Sequence, residues 1–220
     1  MSEDNLKGSL YDDDEILRKF RESENRYLQQ VTITKINGLC PYAHREGESF
    51  QVTNCNNDGL CGALYNQLHP SILTLHYRGR LPWQKGDSSI KALCPEMKVQ
   101  VEVKRIEKKD LEFLKTESAF KDMTGRGFNS LDKNRTFIEI LGVEYYCAWG
   151  HKQGQRFEID PFNTGNVCGF LYSKVYPYLN VHLSGASVPW AMEDNVVNSV
   201  CPDSYNQTSF RLVIEKRQHE

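Results

Sequence analysis

The feature that most constrains this chain is a Cys/His pattern that occurs twice, with a constant offset of 107 residues between the copies. When residues 40–95 are placed on residues 147–202 without a gap, 15 of the 56 positions are identical. Unrelated sequences of average composition would share about three or four. A copy at a fixed offset indicates tandem units of the same structure. The sequence therefore predicts two homologous units in one chain.

Alternation of apolar and polar residues predicts short strands in both units, with turn formers between them and the helical stretches. In the first unit we expect strands over residues 31–36, 49–52, 90–93 and 99–106, and helices over 60–68 and 70–77. In the second we expect strands over 136–143, 156–159, 195–200 and 210–215, a helix over 167–174, and a helix or extended segment from residue 177. The predicted fold class is α+β, with a small, mainly antiparallel sheet and one or two short helices in each unit.

The predicted organisation has four parts: a tail with a short helix over residues 1–30, unit 1 over 31–107, a connecting segment over 108–134 and unit 2 over 135–220. Phe113, Leu114 and Phe120 are spaced as one helix face in the connecting segment. A unit of roughly 80 residues buries a smaller fraction of its surface on folding than a larger domain does, and is only marginally stable alone. We therefore expect a monomer in which the units pack as an internal dimer, about an approximate two-fold axis.

Charge and hydropathy exclude several classes of partner. The formal net charge of −2 and the pI near 6.3 leave no basic excess for nucleic acid or for an anionic membrane surface. No apolar run approaches the roughly 20 residues of a membrane span. The first residues are acidic where a secretory signal would be basic and then apolar, which predicts a cytoplasmic protein. In that reducing compartment the seven cysteines favour metal ligation or thiol chemistry over disulfides.

Three cysteines and one histidine recur in each copy, and they are the sharpest chemical signal in the chain. Their positions are Cys40, His44, Cys61 and Cys94 in unit 1, and Cys147, His151, Cys168 and Cys201 in unit 2. Three thiolates and one imidazole complete a tetrahedral zinc site, so the sequence predicts one zinc ion per unit with a structural or regulatory role. Ferrous iron or an iron–sulfur cluster uses similar donors and stays open.

Two other interpretations of these residues stay open. The first is a thiol enzyme or redox protein, because Cys61 and Cys168 are expected near helix N-termini, where thiolates are favoured. His44 and His151 would then serve as bases. The second treats the cysteines as small buried hydrophobic residues. Cys55 is left out of the site because its counterpart is a phenylalanine.

Other repeated residues have both structural and functional explanations. Trp83 and Trp190 each follow a proline, and they are expected in the core more than in a pocket wall. Carboxylates recur as Asp87 with Asp194 and as Glu96 with Asp203, where they could orient a ligand or act as general acids or bases. Tyr65 and Tyr172 lie four residues after the helix cysteines and are expected to pack in the core. Asn57 or Asp58 is expected to cap the first helix.

The first unit resembles a family of small prokaryotic proteins that are about the length of one unit. The resemblance rests on the motif Cys-Pro-x-x-His, followed by Gly, Phe, Leu-Cys-Gly, Pro-Trp and Cys-Pro-Glu. The resemblance covers about residues 31–107 and 136–216. The second copy departs from it at Ala148, where the family has proline, and at Ala186, where it has glycine. No activity is assigned to that family, so the resemblance implies the repeat unit and its cysteines without naming a reaction.

Overall fold

A computed structural model describes residues 26–86, 88–108, 117–144, 147, 149–186, 188, 191, 193, 196–203 and 208–218. Unit 1 contains β1 (Tyr27–Ile36), β2 (Ser49–Val52), α1 (Gly62–His76), β3 (Ser89–Leu93) and β4 (Val99–Glu107). A short helix, α2 (Asn129–Lys133), precedes unit 2. Unit 2 contains β5 (Asn134–Val143), β6 (Arg156–Ile159), α3 (Gly169–Leu183), β7 (Val196–Val200) and β8 (Thr208–Lys216). The fold class is α+β, as predicted.

Each unit forms one four-stranded antiparallel sheet, and the two sheets have the same topology. The strand orders are β2-β1-β4-β3 and β6-β5-β8-β7. The register also corresponds, because Val31 lies opposite Val103 in unit 1 and Ile138 lies opposite Leu212 in unit 2. The first strand of each unit carries an irregularity at equivalent places, between Ile33 and Lys35 and between Ile140 and Gly142. The chain therefore contains two similar α+β units.

The long helices cover one face of the sheets and form the core. Helix α1 contacts β1, β3 and β4 of its own sheet, and it also contacts α3 of the other unit. Its apolar residues recur at helical spacing and are fully buried, namely Leu64, Leu68, Ile72 and Leu75. They meet the inward residues of β1 and β4, including Val31 and Val103, in a core that continues into unit 2.

Each unit has one long helix where the sequence predicted a break. Pro70 lies inside α1 and Pro177 lies inside α3, although each was expected to start or follow a helix. Both prolines are exposed, so the carbonyl that a missing N–H leaves unpaired is on the outer side of the helix. Water can then replace the lost hydrogen bond, and the helix continues through the proline.

The first N–H group of each long helix is satisfied by the neighbouring unit. The N-cap residues are Cys61 and Cys168, neither of which makes a side-chain capping hydrogen bond, so the predicted cap at Asn57 or Asp58 is wrong. The Gly62 N–H donates to the carbonyl oxygen of Phe162 at 2.6 Å. Reciprocally, the Gly169 N–H donates to the carbonyl oxygen of Cys55 at 2.9 Å. Two residues related by the offset, Asn57 and Thr164, also hydrogen-bond each other at 3.2 Å. Reciprocal contacts of this kind are typical of a two-fold interface.

The segment before α2 runs along unit 2 as irregular chain. Asn166 exchanges two hydrogen bonds with the backbone of Ser118, at 2.8 and 3.1 Å, and Asn163 does the same with Lys121, at 2.8 and 2.9 Å. Phe120 therefore does not lie on a helix, contrary to the prediction. Its expected helix partners, Phe113 and Leu114, lie outside the described residues, as does the predicted N-terminal helix.

Strand β1 begins at Tyr27, four residues before the predicted strand and within the predicted tail. Tyr27 and Leu28 are buried and lie opposite Glu107 and Ile106 of β4, which extends the pairing. Among the described helices, none has the length and apolar character needed to cross a membrane.

Candidate thiol site and cavity

The four predicted donors of unit 1 line one cavity of about 300 Å³. Cys40 lies in the turn after β1, where its carbonyl oxygen accepts the Ala43 N–H at 2.9 Å. Cys61 is the N-cap residue of α1. Cys94 lies in the turn between β3 and β4, and its Sγ accepts the Val99 N–H at 3.2 Å. Three separate segments therefore bring the thiols and His44 to one site.

The His44 imidazole has a protein partner at each nitrogen. Its Nε2 lies 3.4 Å from the backbone N of Cys61, and its Nδ1 lies 3.4 Å from Glu48 Oε2. Because a backbone N–H can only donate, Nε2 is the acceptor and Nδ1 carries the proton. Burial lowers the pKa of His44, although the nearby Glu48 carboxylate acts in the opposite direction. The imidazole is therefore neutral at pH 7 and held beside the Cys61 backbone.

Burial also keeps the Cys61 thiol neutral. It raises the pKa of Cys61 to about 12, while the N–H groups of Leu64 and Ala63 in the first turn of α1 favour the thiolate and act against it. The Cys40 sulfur adds a further unfavourable interaction with a Cys61 thiolate. A Cys61 thiolate would therefore need a cation close to it, since His44 is itself neutral.

Unit 2 reproduces these contacts with its own residues. The Cys168 N–H donates to His151 Nε2 at 3.3 Å, as the Cys61 N–H does to His44. Burial raises the pKa of Cys201 to about 12, and the sulfurs of Cys168 and Cys147 act in the same direction. The four predicted donors line one cavity in unit 1, whereas in unit 2 the described contacts join His151 to the Cys168 backbone and Cys201 to the Asp203 backbone.

Cys55, which was not predicted as a site residue, contacts the site of unit 2. Its thiol hydrogen-bonds Cys168 and lowers the pKa of Cys168, whereas burial acts to raise it. The position of Cys55 across the interface explains why no repeat signal marks it. Its counterpart Phe162 lies at the edge of the unit 1 cavity.

The donor types suit a soft metal ion, although their arrangement is not a closed ligand shell. Over the described residues, no group of three or more His, Cys, Asp or Glu side chains is arranged to hold a metal ion. The buried Cys61 thiol is held in its protonated form, and a cation that displaces its proton would favour the thiolate. The imidazole Nε2 faces a backbone amide, so His44 and His151 would have to turn from that contact to become ligands.

An aromatic residue two positions after the first cysteine supports the site in each unit. The Tyr42 hydroxyl donates to the Gly59 carbonyl oxygen at 3.4 Å, and Trp149 Nε1 donates to the Asn166 carbonyl oxygen at 2.9 Å. These donors and acceptors are related by the same offset of 107. The identity comparison missed the pair because tyrosine and tryptophan differ, but a comparison by residue class would have found it.

The remaining repeated residues have mixed outcomes. Trp83 is 71% exposed and does not line the cavity, so the prediction of a core or pocket role is wrong. Its loop, between α1 and β3, leaves the side chain in solvent. Tyr65 and Tyr172 are fully buried, as predicted. Glu96 lines the cavity and pairs with Lys98 at 2.9 Å. Pro189, Trp190 and the carboxylates Asp87 and Asp194 lie outside the described residues.

Asp203, the counterpart of Glu96, lies close enough to Cys201 for its backbone to hydrogen-bond the thiol. Unit 1 thus combines three thiols, a neutral imidazole and the Glu96 carboxylate at one cavity. Such a group can bind a soft cation, and its buried Cys61 thiol is poorly suited to supply a free thiolate at neutral pH. Comparison of the chain with protein-family models, with curated proteins and with solved structures finds no match.

Proposed function

We propose that this protein binds one zinc ion in each unit, through three thiols and one imidazole, and that the metal has a structural or regulatory role. The donors are Cys40, His44, Cys61 and Cys94 in unit 1, and Cys147, His151, Cys168 and Cys201 in unit 2. The observation that carries the proposal is that the four donors of unit 1, which come from three separate segments, line a single cavity.

Packing alone does not account for the unit 1 cysteines. Cys40 and Cys94 are only partly buried and face the cavity, whereas a cysteine that serves as a small hydrophobic residue is normally enclosed by the core. Burial holds the Cys61 thiol in its protonated form, and a zinc ion would supply the positive charge that favours its thiolate. The iron alternatives use the same donors and are separated from zinc by metal analysis.

The alternative of a thiol enzyme uses Cys61 with His44 and Cys168 with His151. In its favour, each histidine is held beside its cysteine through the backbone N–H. Against it in unit 1, the pKa of Cys61 is raised and that of His44 is lowered by burial, which opposes a thiolate–imidazolium pair. In unit 2 the hydrogen bond from Cys55 lowers the pKa of Cys168, which is compatible with either function. Metal binding is therefore the better supported function.

We also propose that the two units derive from one ancestral unit of the family that the motif resembles, and that the protein works in a reducing, cytoplasmic compartment. The common offset, the equal sheet topology and the reciprocal contacts of Gly62 and Gly169 support the duplication. The lack of disulfides among the seven cysteines is compatible with that compartment.

The test is elemental analysis of the purified chain together with titration of its accessible thiols. We expect about two zinc ions per chain, because each unit has a complete donor set. Cys94→Ser and Cys201→Ser should each retain about one ion, and the double variant should retain none. Cys55→Ala is a further comparison, because it removes a thiol that touches Cys168 without being a predicted donor; it should keep both ions.

The variant His44→Gln distinguishes between two roles of His44, as a metal ligand or as a residue that positions the Cys61 backbone. A ligand role predicts a loss of zinc affinity of about tenfold or more in unit 1. If the metal content and affinity were unchanged, His44 would only hold the Cys61 backbone. A metal-free protein with a thiol that titrates well below about 8.5 would contradict metal binding and support the thiol enzyme.

A further inference from the structure

The two thiol sites differ in the residue that follows the helix glycine. Ala63 occupies this position in α1, and Phe170 occupies it in α3. Phe170 packs against the core, and its ring contacts the His69 ring edge-to-face with the centroids 5.5 Å apart. The counterpart of His69 is Tyr176, which lines the unit 1 cavity together with Ala63. Unit 1 therefore has the small Ala63 side chain beside its cavity at the position where unit 2 has a large aromatic ring.

Both units and the connecting chain contribute to the walls of this cavity. Unit 1 supplies the thiols and Tyr42, the segment around α2 supplies Phe128, and unit 2 supplies Phe162 and Tyr176. Phe128 and Phe162 contact each other, with ring centroids 4.7 Å apart. Four aromatic rings thus surround a volume of about 300 Å³, which is at the lower end of the range for small-molecule pockets.

We propose that the unit 1 cavity is a binding site for a small, uncharged aromatic molecule, and that Phe170 closes the corresponding space in unit 2. This inference goes beyond the metal sites, but it places the ligand in the same cavity as the unit 1 thiols, so probe binding and metal content are measured separately. The two units would then have different roles, with a ligand site in the first and a filled, structural counterpart in the second.

The lining favours an aromatic ligand without a charge. Aromatic walls stabilise a flat ring by edge-to-face and offset stacking in addition to the burial of apolar surface. Among the described residues that line the cavity, the charged ones are Glu96 and Lys98, and they pair with each other at 2.9 Å. A charged ligand would lose its hydration without gaining an unpaired counter-ion among these residues.

The experiment compares 2-naphthol with 2-naphthoate, two probes with the same ring system, of which only the second is charged at pH 7. In isothermal titration calorimetry of the full chain, we expect 2-naphthol to bind with one site per chain and 2-naphthoate to bind at least tenfold more weakly. Equal affinity for the two probes, or no saturable binding of 2-naphthol, would overturn the proposal.

Exchange of the two helix residues provides matched variants. Ala63→Phe copies the residue of unit 2 into unit 1 and should weaken 2-naphthol binding at least tenfold. Phe170→Ala should raise the number of sites toward two. Ala63→Leu is a milder filling variant, and circular dichroism and the urea midpoint show whether each variant is folded. Folded filling variants that bind as well as the parent would refute the assignment of the cavity.

Metal analysis of the same samples keeps the two proposals separate. Ala63 is not a donor, so Ala63→Phe should retain about two zinc ions while it loses the probe. A chain that binds 2-naphthol but no zinc would contradict the metal proposal alone. A chain that binds zinc but gives no Ala63-dependent binding of the probe would contradict the cavity proposal alone.

Discussion

The two units approach each other closely at the first residue of each long helix, and an added methyl group there gives a sharp test of the interface. An ideal Cβ on Gly62 would lie 2.2 Å from the Tyr172 hydroxyl oxygen and 2.8 Å from Cζ of the same ring. On Gly169 it would lie 2.0 Å from the Tyr65 hydroxyl oxygen and 2.4 Å from the Asn54 carbonyl oxygen. Real Cβ atoms essentially never approach other atoms this closely, so the structure must shift in either variant.

The expected magnitude follows from two opposing effects. In a helix, Gly→Ala gains up to about 1 kcal/mol from helix propensity. Overpacking of a close-packed site costs about 1–3 kcal/mol, and the upper part of this range applies because both tyrosines are fully buried. Their hydroxyls are also held by carbonyl oxygens, Tyr172 by Asp160 at 2.9 Å and Tyr65 by Thr53 at 2.8 Å.

We therefore expect Gly62→Ala to lower the free energy of unfolding by about 1–2 kcal/mol. Gly169→Ala should cost more, because its second close contact is a backbone atom that cannot rotate away. The assay is urea unfolding followed by circular dichroism, with the m-value checked for constancy. The melting temperature should fall by roughly 2–4 °C per kcal/mol for a chain of this size.

Gly142→Ala is the control, since its Cβ would meet only the Ser209 hydroxyl at 3.3 Å. It should be neutral or slightly stabilising because it lies within a strand. A double variant, Gly62→Ala with Tyr172→Phe, should be more stable than the sum of the single effects predicts, by about 0.5 kcal/mol or more. If Gly62→Ala were neutral or stabilising, the close approach of α1 to Tyr172 would be refuted.

Three other sites give further predictions, each measured by urea unfolding. Thr164→Val leaves buried Asn57 without its partner across the interface and should cost about 1–3 kcal/mol; no loss would mean that this contact contributes nothing. Burial lowers the pKa of His69, so the unfolded chain binds more protons than the folded one and the free energy of unfolding should fall as the pH drops below about 6.5. His69→Gln should make this fall less steep. An unchanged pH dependence would contradict a contribution from the buried His69 imidazole. Glu139→Ala removes exposed ion pairs with Arg156 and Arg211 and should lower the free energy of unfolding by less than about 1 kcal/mol. A larger loss would contradict the expectation that solvent screens these pairs.

Strand positions could be predicted well because they depend on local alternation and turn residues. The short strands β2 and β6 agree with the prediction to the residue. The helix bounds were harder to predict, because a proline inside a helical pattern usually marks a break or a kink. Pro70 and Pro177 face solvent within continuous helices. The sequence alone does not show which face of each helix is exposed, so the continuation of the helix through the proline was not predicted.

The capping of α1 and α3 could not be predicted for a different reason. A local cap is sought within a few residues, and Asn57 and Asp58 were the local candidates. The observed acceptor for the Gly62 N–H is Phe162, which is 100 residues further along the chain. Only the packing of one unit against the other reveals such a partner.

The grouping of the donors could be expected from the repeat, whereas the surroundings of the site could not. The offset marked the cysteines and histidines of both copies, but it said nothing of the direction in which each imidazole points. It also marked Trp83, whose exposed side chain has no role in the described site. The cavity itself depends on Ala63, a difference between the copies, and a search for identical residues discards such differences.

The exchanged helix caps have a consequence for the order in which the protein folds. The first N–H of each helix is hydrogen-bonded only after Gly62 has reached Phe162 and Gly169 has reached Cys55. These partners are separated by 100 and 114 residues in the sequence. The loops that such contacts close are long, and long-range closure slows folding more than it lowers stability. We expect the sheets to form early and the first turns of α1 and α3 to order last, so that substitutions at these two glycines accelerate unfolding while they leave the folding rate almost unchanged.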